Sequence, residues 1–351
     1  MMGKLKKLTG YRLFLPLSCL IIVLLINLIT TPTFFRITIN NGVLYGYIID
    51  VINRASELVV LAVGMTLVVS ASAGTDISVG AVMAVAAAVC TRVLAGGEVS
   101  VNEYANPYVL AVLAALAAAV VCGGFNGFLV AKLKIQPMVA TLILFTAGRG
   151  ISQLVTNGQI TYIRVDGYKL LGNNIPGIPI PTPIFVAVIV VALTYILLKK
   201  TAMGMYIQSV GINERASRLV GLKSVKIIWM AYAFCGLCAG IAGLVASSRI
   251  YSADANNIGL NMELDAIAAV ALGGNSLGGG RFSLLGSVIG AYTIQALTTT
   301  LYAMSVPADQ IPVYKAIVVI LIVAVQSEGL KKFRKRLASR HSSKNVEGGV
   351  A

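Results

Sequence analysis

The sequence predicts an all-α integral membrane domain, and three observations carry that reading. A run of apolar stretches of membrane-crossing length extends from Leu13 to Val325, ten in all, with short connections. About twenty mostly apolar residues span the hydrocarbon core. Composition agrees: 57% of residues are hydrophobic and 12% charged, with a mean hydropathy of +0.86, whereas a soluble domain carries roughly 25% charge. The basic residues supply the third observation. With the N-terminus in the cytoplasm and the stretches alternating, twenty Lys and Arg fall inside and seven outside, as the positive-inside rule requires.

The expected spans are 13–30, 58–73, 77–95, 108–131, 137–156, 182–198, 227–247, 263–279, 283–303 and 311–326. The second and eighth are short, Gly-flanked and carry acids at one end. Both termini then lie in the cytoplasm; eight spans also satisfy parity if two short segments are re-entrant. The expected organisation is a basic cytoplasmic N-terminus over 1–12 and one membrane domain over 13–326 with a cytoplasmic loop at 199–226. A basic cytoplasmic tail over 327–351 follows, suited to the anionic inner leaflet. The first stretch exceeds a signal-peptide h-region and no A-x-A site follows it, so a retained first helix is expected.

The net charge of +15 does not form a stripe on a folded surface, so it gives no nucleic-acid footprint. The five cysteines (Cys19, Cys90, Cys122, Cys235 and Cys238) all lie in apolar segments, where small buried hydrophobes are expected. Cys235-x-x-Cys238 lacks a second pair and is weak as a metal site. His341 lies in the polar tail. The outer loop 171–183 packs Pro176, Pro179, Pro181 and Pro183 among glycines and reads as stiff, extended and non-helical.

Glycine recurs inside the spans at helix-packing intervals: Gly123-Gly124-x-x-Gly127, and Gly236-x-x-x-Gly240 overlapping Ala239-x-x-x-Gly243. Small residues so spaced let helix backbones approach closely in lipid. Two places break helical chemistry in corresponding ways. One is Gly74-Thr75-Asp76-Ile77-Ser78-Val79-Gly80. The other begins with Glu263-Leu264-Asp265 and ends with Leu272-Gly273-Gly274-Asn275-Ser276-Leu277-Gly278-Gly279-Gly280-Arg281. Paired interruptions in two halves point to a transporter, and acids at membrane depth tend to mark function. The plainer reading is that Asp76 and Asp265 cap helix starts at the interface. Arg149 either snorkels outward, pairs with an acid or touches a cargo. Asp76, Ser78, Asn126, Gln136, Thr141, Arg149, Glu263, Asp265 and Asn275 are the candidates for lining a translocation path.

The cytoplasmic loop contains Gly211-Ile212-Asn213-Glu214-Arg215-Ala216-Ser217-Arg218-Leu219-Val220-Gly221. It reads as a short amphipathic helix bracketed by glycines, with Asn213 as N-cap and Ala216, Leu219 and Val220 on one face. Such a stripe suits docking into a partner's groove; a surface-lying helix with no partner is the alternative. No G-x-x-x-x-G-K followed by Ser or Thr occurs, so no P-loop binds ATP. Leu277 to Arg281 superficially resembles the glycine signature of transport ATPases, but without a P-loop it is a turn. No metal-spaced cluster and no nucleophile–base pair stands out, and no cofactor is expected.

Taken together, the three segments resemble the sugar-type permease subunits of bacterial ABC importers, the ribose, xylose and galactose group. The family's Gly-Ile-Asp-Leu-Ser-Val-Gly element is matched by Gly74 to Gly80, departing at Thr75 and Ile77. Its cytoplasmic Gly-x-Asn-x-x-Ala-Ala element is matched by Gly211 to Ser217, with Ser217 for the second alanine. Glu263 to Val270 followed by Leu272-Gly273-Gly274 and Gly279-Gly280-Arg281 is the most specific match. Within the group the chain looks most like galactofuranose importer permeases. The features are Asn41-Gly42 through Asp50 to Ala55, Lys134 to Leu144, Ala147 to Gly150 and Ala253 to Asn257.

The resemblance implies a ten-helix fold in two loosely related halves, of the larger vitamin-B12-type importer architecture, in the bacterial cytoplasmic membrane. It implies a translocation subunit rather than an enzyme. Its cargo would be galactofuranose or a related monosaccharide, with ribose, xylose or another small polyol as the alternative. Separate ATPase subunits, a second permease subunit of the same or a different chain, and an external sugar-binding protein are the implied partners, alongside membrane lipid. Gly211, Asn213, Glu214, Arg215, Ala216, Leu219 and Gly221 would couple to the ATPase. The rival from another class, an ion-coupled secondary transporter, would want buried acids lining a route within one chain. A membrane sugar transferase would want an Asp-rich motif or catalytic acids.

Overall fold

The computed structural model describes residues 13–40 and 42–326; Asn41 and the two basic termini lie outside them. Every predicted apolar stretch contains a helix. The helices are α1 (Phe14–Thr30), α2 (Tyr47–Ser72), α3 (Val79–Ala95), α4 (Tyr108–Ala131), α5 (Pro137–Val155) and α6 (Thr182–Lys200). Then come α7 (Met203–Ile212), α8 (Glu214–Leu219), α9 (Ser224–Ile250), α10 (Met262–Leu272), α11 (Leu284–Ala303) and α12 (Ile311–Gln326). Six of these, α2, α4, α5, α6, α9 and α11, are long and apolar enough to cross a membrane. Shorter apolar helices are formed by α1, α3 and α12.

Three boundaries differ from expectation, each for a physical reason. Helix α2 begins at Tyr47 rather than 58, because Asp50, Asn53, Arg54 and Glu57 interrupt the apolar signal without interrupting the helix. Glu57 is neutralised within the bundle by Arg249 at 3.0 Å. The eighth stretch, expected to run to residue 279, is helical only as far as Leu272, so that α10 is eleven residues long. That length rises only about 16 Å, half the hydrocarbon core. The Gly-rich run beyond it turns repeatedly through positive φ, at Gly274 (+76°), Gly279 (+85°) and Gly280 (+85°). Finally, the loop expected at 199–226 contains a helix of its own, α7, ahead of α8.

Helices α2 and α9 form the centre of the bundle. Helix α9 packs against α4, α2 and α3; α3 also packs on α4 and α5; α11 lies against α2, α10 and α1, and α6 lies against α2. The α4–α9 crossing has no room for side chains. A Cβ placed on Gly123 would sit 2.9 Å from the Gly236 Cα, and one on Gly236 would sit 2.9 Å from the Gly123 Cα. Further along the same seam Gly127 packs on the Trp229 backbone and Gly240 on Ala119, while Gly243 meets the Met83 backbone of α3. Four of the five cysteines are buried.

One end of the bundle is capped by short strands. A hairpin pairs β1 (Thr38–Asn40) with β2 (Val43–Tyr45). A three-stranded sheet sets β4 (Thr161–Ile163) between β3 (Ser100–Val101), parallel, and β5 (Ser252–Ala253), antiparallel. The proline-rich segment is irregular up to Thr182, and its Pro179 carbonyl accepts from Leu44 N at 3.1 Å.

Gly236→Leu should therefore overpack a backbone-on-backbone contact, at the upper end of the ~1–3 kcal/mol typical of such changes. We expect collapse of membrane yield and loss of a cooperative thermal transition in detergent. Gly150→Ala, whose added carbon meets nothing within 4 Å, should leave both unchanged.

Candidate functional site

The first interruption joins α2 to α3. Ala73 takes a left-handed conformation at the end of α2, and Gly74 packs flat on Pro137 at the start of α5. Asp76 is buried, and its Oδ1 accepts from Ser78 N at 2.9 Å and from Ser78 Oγ at 2.6 Å. The capping expectation is corrected: the N-cap of α3 is Ser78, without a side-chain cap bond, and Asp76 closes a turn just ahead of the helix. It is also part of a wider buried network. Asn126 of α4 donates to Ser78 Oγ at 2.8 Å and to Asp76 Oδ1 at 3.4 Å, and Thr141 of α5 accepts from Ile77 N at 3.2 Å. Asp76, Ser78, Asn126 and Thr141 therefore meet at one point between three helices. Two further atoms there, Asn126 Oδ1 and Thr75 Oγ1, are buried without a partner. Gln136 stands apart, exposed on the rim of a cleft of about 340 Å³ between this joint and the α7–α8 loop.

The second interruption, α10 and the Gly-rich run, is preceded by a loop at residues 254–261. Arg149 of α5 donates through Nη1 to the carbonyls of Ala255 (3.0 Å) and Ile258 (2.5 Å), and Gln153 donates to Asn256 Oδ1 at 2.6 Å. One turn of α5 therefore grips the 255–258 loop by its backbone. Arg149 Nη2 is left buried and unpartnered. Glu263 is buried too, with Oε2 unpartnered, directly against Gly80. Any Cβ on Gly80 would strike that oxygen and the Gly259 carbonyl. The two interruptions, remote in sequence, thus touch at Gly80.

Asp265 takes both oxygens to Lys315 Nζ, at 2.6 and 2.8 Å, tying α10 to α12. Asn275 pins the Gly-rich run. Its amide donates to Val270 O (3.1 Å) and Ser287 Oγ (2.7 Å), and its carbonyl accepts from Ser283 N at 2.6 Å. Thr66 of α2 joins the same network through Ser287 at 2.6 Å. No motif or spacing singles out Thr66, Ser287 or Lys315. Lys315 is detectable in principle, as a cation beside the last apolar stretch that needs a partner.

On the loop between α6 and α9, Asn213 is the N-cap of α8, accepting from Ala216 N at 2.9 Å. Glu214 pairs with Lys134 at 2.5 Å and with Arg218. Partial burial pulls the Glu214 carboxyl upward, but hydrogen bonds from Lys134 and Arg218 outweigh it and hold it below its ordinary value. The expectation of one glycine-bracketed helix over 211–221 is corrected. Gly211 belongs to α7, and there it is a point of close approach, pressed on the Ser70 carbonyl and Gly280 N. Only Gly221 supplies a left-handed turn, at φ +86°. Arg215 and Ala216 are exposed, and so are Ile212 (66%), Leu219 (89%) and Val220 (77%).

With that geometry in hand, the chain matches the family described as branched-chain amino acid transport system / permease component across residues 47–326. The chain belongs to this family of transport permeases, whose members translocate a cargo rather than transform it. It is 44% identical to the galactofuranose transporter permease protein of Escherichia coli, over 92% of each chain. It is 37% identical to the fructose import permease protein of Bifidobacterium longum, covering 99% of this chain and 96% of that one. Identity to the Escherichia coli ribose import permease protein is 35%, over 89% and 93%. No solved structure matches.

Two outcomes follow from the geometry. Asp76→Ala strands the Ser78 N–H and hydroxyl in a buried site, a loss of about 1–3 kcal/mol, read as a fall of several degrees in Tm with reduced uptake. For Glu214 the folded value is depressed, so its tie to Lys134 and Arg218 contributes fully above the unfolded glutamate value, about 4.3. The contribution is lost as pH falls through the folded value. Protection factors over 213–219, which correct for the pH dependence of intrinsic exchange, should fall in the wild type as pH drops below the ordinary glutamate range, and Glu214→Gln should abolish that fall.

Proposed function

We propose that this chain is the membrane permease of an ATP-driven sugar importer, forming half of the passage for galactofuranose or a closely related monosaccharide. The observation carrying the sugar reading is end-to-end similarity to the galactofuranose permease, highest among the three sugar permeases described above. The absence of charged rings along the apolar stretches suits a neutral polyol rather than the zwitterionic amino acids of the family description.

In this reading the ten apolar helices, short α10 included, leave both termini in the cytoplasm of a bacterial inner membrane, in two loosely related halves of the vitamin-B12-type architecture. The buried network at Asp76, Ser78, Asn126 and Thr141, and the Arg149–Gln153 grip on 255–258, flank the passage and hold its broken backbone in place. Gln136, Glu263, Asp265 and Asn275 stand at its edges. Alternating access requires the two interruptions to move relative to one another, and their contact at Gly80 is where that motion is felt. A second permease copy or homologue completes the passage, an external binding protein delivers the sugar, and ATPase subunits bind the cytoplasmic loop.

The ATPase contact rests on α8. Leu219 and Val220 are almost fully exposed although they are large and apolar, and such a patch on a loop outside the bundle suits a partner's groove. Gly211, Asn213, Glu214, Arg215, Ala216 and Gly221 shape and orient it. An ion-coupled carrier is the rival from another class.

Two measurements test these readings. Vesicles containing the permease with its ATPase and external binding protein should accumulate labelled galactofuranose only with internal ATP. Uptake by the permease alone on a proton or sodium gradient would favour the ion-coupled rival. Ala216→Glu should keep normal membrane abundance, since residue 216 is exposed, yet lose uptake and co-purification of the ATPase because a charge is buried in the contact. Intact uptake and co-purification would make α8 a surface helix only.

A further inference from the structure

A groove runs down the lipid-facing side of the bundle between α6, α2 and α11. Its deep part, a cavity of about 340 Å³, is lined almost wholly by carbon, with Val59, Ala187, Val191, Leu285 and Val288 as its walls. At Tyr195 and Leu285 it meets a second cavity of about 520 Å³. The lining there turns polar, with Lys199, Thr201, Gln208 and Ser283. Helix α6 forms one continuous wall. From Ala187 to Lys199 it rises about 18 Å, close to the roughly 15 Å of one leaflet's hydrocarbon layer. Lys199 forms no ion pair among the described residues, and Lys200 lies beside it. The hydroxyl of Thr201 is already committed to the Leu197 carbonyl, so Lys199 and Gln208 are the groups free to bind.

We propose that this groove holds one anionic glycerophospholipid, an acyl chain along Val59, Ala187, Val191 and Val288 and the phosphate at Lys199 and Gln208. The reading rests on the membrane topology above, which puts Lys199 at the cytoplasmic face. Apolar depth, one leaflet of length and a single cationic end are the dimensions of an anionic amphiphile, and basic pockets between helices on that face bind acidic headgroups. A protein partner would need no such change from carbon to cation along one leaflet. The lipid would fill the gap left where α6, otherwise packed mainly on α2, stands away from α11. It would thereby fix α6 against the start of the cytoplasmic loop.

The test uses the full chain in nanodiscs of equal phosphatidylglycerol and phosphatidylethanolamine, released into the gas phase for native mass spectrometry. The wild type should retain one phosphatidylglycerol in at least fivefold excess over phosphatidylethanolamine. Lys199→Glu should remove the preference, and Ala192→Trp, which fills the open groove, should remove the bound lipid at unchanged Tm. Equal retention of both lipids by the wild type, or unaltered phosphatidylglycerol retention by both variants, overturns the proposal. So does efficient cross-linking of two copies through Ala192→Cys beyond that of the parent chain, which would make the groove an interface between copies. Sugar uptake is not the readout, so failure of the transport reading leaves this result interpretable.

Discussion

The structure depends on one constraint: α4 and α9 touch through their backbones. In lipid there is no hydrophobic drive between helices, because the surrounding tails are as apolar as leucine. Close packing must supply the cohesion, and glycine at 123, 127, 236, 240 and 243 makes it available by removing the side chains in between. Helix α9 can then lie against α4, α2 and α3 at once. Everything placed around that post, including the buried polar joints, inherits its position from the crossing.

That crossing was legible in the sequence because glycine weakens a helix, so glycines at intervals of three and four inside an apolar span signal a close backbone contact. The joints were legible for a related reason: Gly74 to Gly80 and Leu272 to Arg281 put turn residues where helix was otherwise expected. What the joints do was not legible. Nothing in spacing says that Ser78 and Asn126, nearly fifty residues apart, share a hydrogen bond, or that Gly80 faces Glu263. The helix start at Tyr47 was hidden because Glu57 and Arg249, each a warning against a span, cancel each other across the bundle. Periodicity reads one helix at a time and cannot see a charge paired from another. Gly211 failed in the opposite way. It looked like punctuation in the chain and proved to be a contact surface.

The polar groups fall into two kinds. Asn275, Asp265 and Ser78 have their hydrogen-bonding capacity well used, and they fix irregular backbone at membrane depth, where unsatisfied groups cost several kcal/mol each. Glu263, Arg149, Asn126 and Thr75 each keep one buried atom without a partner. These four flank the junction of the two interruptions. In a low-dielectric interior an unpaired polar atom is costly, so these four are positions where a new partner would stabilise. Asn27, Asn53 and Thr182 also keep a buried atom without a partner, away from this junction, so the incompleteness is concentrated at the junction rather than confined to it.

The end of the bundle that carries α7 and α8 shows how movement between the two interruptions would be constrained. The Gly280 amide donates to the Ser70 carbonyl at 3.0 Å, and Gly211 is pressed onto both. Ser70 closes α2 just before the first interruption, Gly280 closes the Gly-rich run of the second, and Gly211 ends the helix that precedes α8. The three segments therefore share a contact built from backbone, with no flexible side chain to absorb a displacement. A packed interface of this kind is not continuously deformable. A shift of α8 large enough to move Gly211 must either break the Gly280–Ser70 bond or carry both interruptions with it. Glycine is needed at that point because any Cβ would pry the three apart, and a loosened contact would let the loop move without the joints.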